Sequence, residues 1–154
     1  MWHNNQEFHF HIMSTPQPTT SDLRVLLVDD HDDLLLMLGI MLKRKRGYAV
    51  ETANSGHQAI ALARDFSPHI VISDLTMPGM NGFQMIDEMK LKENAPFKSI
   101  ALSGYEVPPS QRSDSAYDVH LTKPVDFDEL FRVLDGLLEA QNSSSPENIN
   151  PNSD

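Results

Sequence analysis

Five polar residues stand where apolar runs stop. Asp29 and Asp30 follow Leu23-Arg24-Val25-Leu26-Leu27-Val28. Asp74 closes Ile70-Val71-Ile72-Ser73, Ser103 follows Ile100-Ala101-Leu102, and Lys123 comes just after Val119-His120-Leu121. Three carboxylates gathered at one edge repel one another unless a hard divalent cation lies between them, and oxygen donors favour Mg2+. With that ion Asp74 is a candidate nucleophile toward a phosphoryl group, giving an aspartyl phosphate. The Lys123 ammonium would spread the charge of the transferring group, which is most of what phosphoryl transfer requires. The Ser103 hydroxyl would hydrogen-bond a phosphoryl oxygen. Each residue also has an ordinary role: Asp29, Asp30 and Asp74 as helix-capping acids, Ser103 in a turn, Lys123 on a solvated loop. Their joint placement at strand ends of one repeating pattern argues for a site.

The elements that must position them follow from hydrophobic periodicity. Ile70-Val71-Ile72 is an uninterrupted β-branched run, the mark of a strand buried on both faces in a parallel sheet. Asp74 then lies at the carboxyl edge, where open α/β sheets hold their ligands. Pro78 and Gly79 make a turn, and Gly82 opens a helix to about Leu91. The first strand runs into a helix ending near Arg46, with acids at its start and Lys43, Arg44, Lys45 and Arg46 at its end. Its inward stripe reads Leu34, Met37, Leu38, Met41 and Leu42, which leaves Leu35, Leu36 and Ile40 as an apolar patch off that stripe. Tyr48-Ala49-Val50-Glu51 reads as a strand and Ser55 to Phe66 as a helix. Pro96 to Leu102 and Val119-His120-Leu121 are strands, with a short Pro-broken helical segment between Tyr105 and Tyr117. The last helix spans about Asp126 to Ala140, with Phe127, Leu130, Phe131, Leu134, Leu137 and Leu138 inward. Strand then helix, five times over, predicts a parallel sheet with helices on both faces.

The 154 residues divide into a polar extension over 1–22, one domain over 23–140 and a Ser/Asn/Pro-rich tail over 141–154. Within the extension, Glu7 to Ile12 alternates like an edge strand. His3, His9 and His11 are too sparse to read as a metal site. Met13 is a candidate alternative start. There is no cysteine, so thiol chemistry and disulfides are excluded. A formal charge of −10 argues against nucleic acid and against an anionic membrane surface. No apolar run reaches the roughly 20 residues of a membrane span. The expected location is cytoplasmic.

Leu23 to Ala140 resembles the receiver domain of two-component response regulators, which implies a flavodoxin-like, doubly wound parallel sheet of five strands in the order 2-1-3-4-5. The resemblance is carried by V-D-D at the first strand end, S-D-L-T-M-P-G-M-N-G, L-S-G-Y and H-L-T-K-P-V-D. It implies that Asp74 is the phosphoacceptor, and that Asp30, Asp74 and the Thr76 backbone carbonyl bind Mg2+. It further implies that Asp29 acts on the metal through water, Lys123 contacts the phosphoryl group and Ser103 is the hydroxyl switch residue. The phosphodonor would be a histidine kinase or a histidine phosphotransfer protein. Two positions depart from the family pattern. Ser103 stands where Thr is more usual, and His120 occupies the place of the aromatic switch, Tyr or Phe.

The expected function is a phosphorylation-controlled signalling module rather than an enzyme, beyond catalysing its own aspartyl phosphorylation and dephosphorylation. With only residues 141–154 after the domain, output is expected through contacts with a downstream protein or through a phosphorelay. Leu35, Leu36 and Ile40 are expected to dock the phosphodonor or a second copy of the chain as a homodimer. The rivals are a receiver-like interaction module that is never phosphorylated, and a metal-dependent phosphohydrolase. The latter wants an acid two residues after Asp74, where Thr76 stands.

Overall fold

Alternation along the strands decides which helix each residue meets. In the computed structural model, which describes residues 22–92, 96–104 and 117–142, β1 spans Arg24–Val28. Its Val25 and Leu27 face one apolar cluster while Leu26 and Val28 face another. The same period of two recurs in β3, Ile70–Asp74, where Ile70 and Ile72 oppose Val71. With β2 at Ala49–Ala53, β4 at Lys98–Ser103 and β5 at Val119–Thr122, the strands form one parallel sheet in the order β2-β1-β3-β4-β5. This is the predicted order.

Four helices are seen among the described residues: α1 Asp32–Arg46, α2 Gly56–Phe66, α3 Gly82–Lys92 and α4 Phe127–Asn142. Helices α1 and α4 cover one face of the sheet, through Leu35, Leu38 and Leu42 and through Leu130, Phe131 and Leu134. Helices α2 and α3 cover the other, through Ala59, Ile60 and Ala63 and through Met85, Ile86 and Met89. Each fully buried leucine or isoleucine contributes about 1.5–3 kcal/mol. The helix expected between Tyr105 and Tyr117 lies outside the described residues, as do the extension before Asp22 and the tail after Asn142.

Local chemistry sets the helix ends. The Ser55 hydroxyl accepts from Gln58 N–H at 3.2 Å while the Gln58 side-chain oxygen accepts from Asn54 N–H at 2.8 Å. Asn81 and Gln84 cap α3 reciprocally, at 2.9 and 3.1 Å. Gly47, at φ 67°, closes α1 in the left-handed conformation with its N–H on the Lys43 carbonyl.

Two expectations need correction. The buried stripe of α1 is Leu35, Leu38, Gly39 and Leu42, so Leu38 and Leu42 are buried as expected while Leu34, Met37 and Met41 are not and Leu35 takes their place. Met37 is 48% exposed, and Leu34 and Met41 only flank the core. Leu35, at 6% exposure, therefore belongs to the core and not to a surface patch, which leaves Leu36, Met37 and Ile40 exposed. The physical reason is Gly39: a built Cβ would find Val50 at 3.9 Å and Leu27 at 4.0 Å, so this face of α1 lies close over the sheet. Strand β2 also starts one residue later than expected and runs to Ala53, with Tyr48 buried before it.

Candidate functional site

The carboxyl edge of the sheet gathers the residues singled out from the sequence. Asp74 ends β3, Ser103 ends β4, and Asp29 follows β1 with its N–H on the Ala53 carbonyl at 3.2 Å. Lys123 follows β5, its N–H donating to the Ser103 carbonyl at 2.7 Å. The Lys123–Pro124 peptide is cis.

The Lys123 ammonium bridges two acids. Its Nζ donates to Asp29 Oδ2 at 2.7 Å and lies 3.4 Å from Asp74 Oδ2. Asp29 and Asp74 are 2% and 6% exposed, so their charges are poorly solvated and the ammonium matters to both. Burial pushes the Asp29 carboxyl up, but Lys123 and the His31 N–H groups outweigh it and hold it below its ordinary value. Burial likewise disfavours the charged Lys123, yet the hydrogen bond to Asp29 and the Asp74 charge raise its pKa. Asp30 is the more open acid, its side chain 32% exposed.

The loop after β3 is tied back to the sheet. Leu75 N–H donates to the Leu102 carbonyl at 3.3 Å, Gly82 N–H to the Leu75 carbonyl at 2.9 Å, and Thr76 N–H to Asp74 Oδ1 at 3.2 Å. Thr76 is thus beside Asp74, although the contact seen is through its N–H. Ser103 lies one residue past Leu102, the register partner of Asp74. His120, exposed on β5, has its ring 5.7 Å from Tyr117 and 6.4 Å from Phe83, centroid to centroid. Of the three residues expected to dock a partner, Leu36 and Ile40 are exposed and Leu35 is buried.

Two features went unread in the sequence. The buried Ser73 and Tyr117 hydroxyls are 2.5 Å apart, directly beneath the site, and Phe83 meets the Tyr117 ring edge-on at 5.6 Å. Burial raises the Tyr117 phenol far above its ordinary pKa, so it stays neutral. His31 is the second: its Nδ1 lies 2.7 Å from Asp29 Oδ1 and 3.3 Å from Asp30 Oδ1. The hydrogen bond to Asp29, then the Asp29 and Asp30 charges, raise its pKa. Its signal was adjacency: an imidazole directly after two acids. Asp29, Asp30, His31 and Asp74 each bring one ligand atom within 4.8 Å of the others. The donor chemistry therefore fits a hard divalent cation, with three carboxylates facing a single ammonium.

Comparison with known proteins agrees with this geometry. The family model for the response regulator receiver domain matches residues 25–135. Protein PilH of Pseudomonas aeruginosa is 34% identical over 122 residues, covering 75% of this chain and 97% of PilH. The transcriptional regulatory protein GlrR of Escherichia coli is also 34% identical, over 124 residues, but the chain spans only 28% of its length. Among solved structures, the response regulator TrrA of Thermotoga maritima, crystallised with Mg(2+)-BeF, superposes with a TM-score of 0.67 at 31% identity, covering 75% of this chain and 98% of TrrA. The chemotaxis protein CheY4 of Vibrio cholerae gives 0.69 at 29%, covering 75% of this chain and 98% of CheY4. Among the described residues no helix is long and apolar enough to cross a membrane. Asp29, Asp74 and Lys123 meet at the carboxyl edge of a 2-1-3-4-5 parallel sheet, inside the matched span, and the chain belongs to the response regulator receiver domain family, a phosphorylation-dependent signalling module.

Proposed function

We propose that Asp74 is the phosphoacceptor and that its donor is a histidine kinase or a histidine phosphotransfer protein. The observation that carries this reading is the Lys123 ammonium held between Asp29 and Asp74, at 2.7 and 3.4 Å, where a phosphoryl group on Asp74 would arrive. In the transfer, a carboxylate oxygen of Asp74 attacks phosphorus, an O–P bond forms, and the N–P bond of the donor phosphohistidine breaks. Lys123 pairs with the phosphoryl oxygens, and the Ser103 hydroxyl donates to one of them. Asp29, Asp30, Asp74 and the Thr76 carbonyl are the residues that would hold Mg2+, which when bound neutralises charge on the transferring group. The relatives support the choice of ion, since TrrA was crystallised with Mg(2+)-BeF.

Phosphorylation shifts a two-state equilibrium, and the altered surface is recognised by a downstream protein or a second copy of this chain. Ser103 takes the part of switch hydroxyl. His120, edge-on to Tyr117 and tilted beside Phe83, takes the place of the switching ring. Leu36 and Ile40 line a groove of about 350 Å³ between α1 and β2, which we assign to docking of the phosphodonor.

Intact mass after incubation with Mg2+ and a small-molecule phosphodonor tests the reading. One added phosphoryl group is expected, abolished by EDTA and by Asp74→Ala. A folded protein that takes none under any condition would instead be a receiver-like interaction module.

A further inference from the structure

His31 is placed in a way that the acidic site does not require. It is the N-cap residue of α1, yet its side chain makes no cap hydrogen bond. Its backbone N–H donates to Asp29 Oδ1 at 2.9 Å, and the ring turns back so that Nδ1 faces the same oxygen at 2.7 Å. Asp30 Oδ1 lies 3.3 Å from that nitrogen. The side chain is 68% exposed, so packing does not force this rotamer; attraction to the two carboxylates holds it. Nδ1 thus converges with one oxygen each of Asp29, Asp30 and Asp74 inside a 4.8 Å cluster. A divalent ion within this cluster would meet the Nδ1 lone pair, with the ring proton on Nε2.

We propose that His31 is a nitrogen ligand of this site and shifts its preference from Mg2+ toward borderline ions of the Co2+ and Zn2+ class. Three carboxylates alone are a hard oxygen set. An imidazole adds the donor that these ions favour and that Mg2+ binds poorly. The inference rests on the acidic cluster being the metal site of a receiver, and it adds a selectivity that the acids alone do not supply.

The test uses the full chain and Co2+ as probe. Calorimetric titration gives the affinities for Co2+ and Mg2+, and proton NMR looks for a hyperfine-shifted imidazole N–H. His3, His9 and His11 are other possible ligands, so a triple His→Asn variant at those positions is measured in parallel. The expected result is a shifted imidazole N–H in the wild type and in the triple variant, absent in His31→Ala. The ratio of Co2+ to Mg2+ affinity should fall by about tenfold or more in His31→Ala, since even loss of a group behind a ligand costs that much. His31→Gln, which keeps a polar side chain, should behave like His31→Ala. The proposal is overturned if the ratio is unchanged, if the shifted signal survives in His31→Ala, or if it disappears in the triple variant. Failure of Asp74 to accept phosphate while the Co2+ signature persists would refute the phosphoacceptor reading and leave His31 as a ligand.

Discussion

Two glycines should respond to the same substitution with opposite sign. A Cβ on Gly136, in the exposed middle of α4, meets nothing within 4 Å. Gly136→Ala removes backbone entropy from the unfolded chain and should stabilise by about 0.5–1 kcal/mol. A Cβ on Gly82, at the start of α3, would clash with the Tyr117 hydroxyl and stand 2.5 Å from the Asp74 carbonyl and 3.1 Å from Leu75 Cα. The Tyr117 ring could shift, but the Asp74 carbonyl belongs to the central strand and cannot yield without moving the site. Overpacking of this kind costs about 1–3 kcal/mol, more than the helix-propensity gain at that position, so Gly82→Ala should be net destabilising. Urea unfolding followed by far-UV circular dichroism measures both, with unchanged slopes confirming a stability effect. Tyr117→Phe should not rescue Gly82→Ala, because the backbone contact remains. If Gly82→Ala stabilises as Gly136→Ala does, or if the Phe variant restores it fully, the close approach of α3 to Asp74 is wrong.

Ser73→Ala and Tyr117→Phe each leave one buried hydroxyl unpaired and should cost about 1–3 kcal/mol, while the double variant loses less than their sum. Strict additivity in urea unfolding would show that the two hydroxyls do not depend on each other. Asp29 is held below its ordinary value of 3.8, so its contribution to stability is present above that pH and is lost as pH falls through the lower, folded value. Lys123→Met removes the largest cause that lowers the Asp29 pKa, so the carboxyl, followed by carbon-13 NMR, should titrate higher than in the wild type; an unmoved midpoint would dismiss Lys123 as its principal partner. Leu36→Asp and Ile40→Asp, at positions 66% and 43% exposed, should slow phosphotransfer from a histidine donor more than from a small-molecule one. Unchanged transfer and oligomeric state would end the docking assignment.

The sheet was legible in the sequence because each strand is a short apolar run ended by a polar residue. Asp29, Asp74, Ser103 and Lys123 could be placed at one edge from that punctuation alone. The facing of α1 was not legible. Leu34, Leu35, Leu36, Met37 and Leu38 are contiguous, so two stripes satisfy a 3.6-residue period. The deciding residue is Gly39, which carries no hydrophobic signal and marks the buried face only through its nearness to Val50 and Leu27. The Ser73–Tyr117 pair joins residues 44 apart in sequence, and only the pairing of β3 with β4 and of β4 with β5 brings their segments near each other. His31 stood in plain view beside two acids, but its ring orientation is a tertiary fact.

Strand β3 is buried at all five positions and paired on both sides, to β1 and to β4. Its amides should exchange with deuterium only through opening of the whole domain, and so report the global free energy. Asp74 is therefore carried on the stiffest part of the molecule. Chemistry there has no means of pushing its own strand along or aside. Any message must leave as a rearrangement of the side chains and loops around the end of β3, with the strand serving as a fixed reference against which they move.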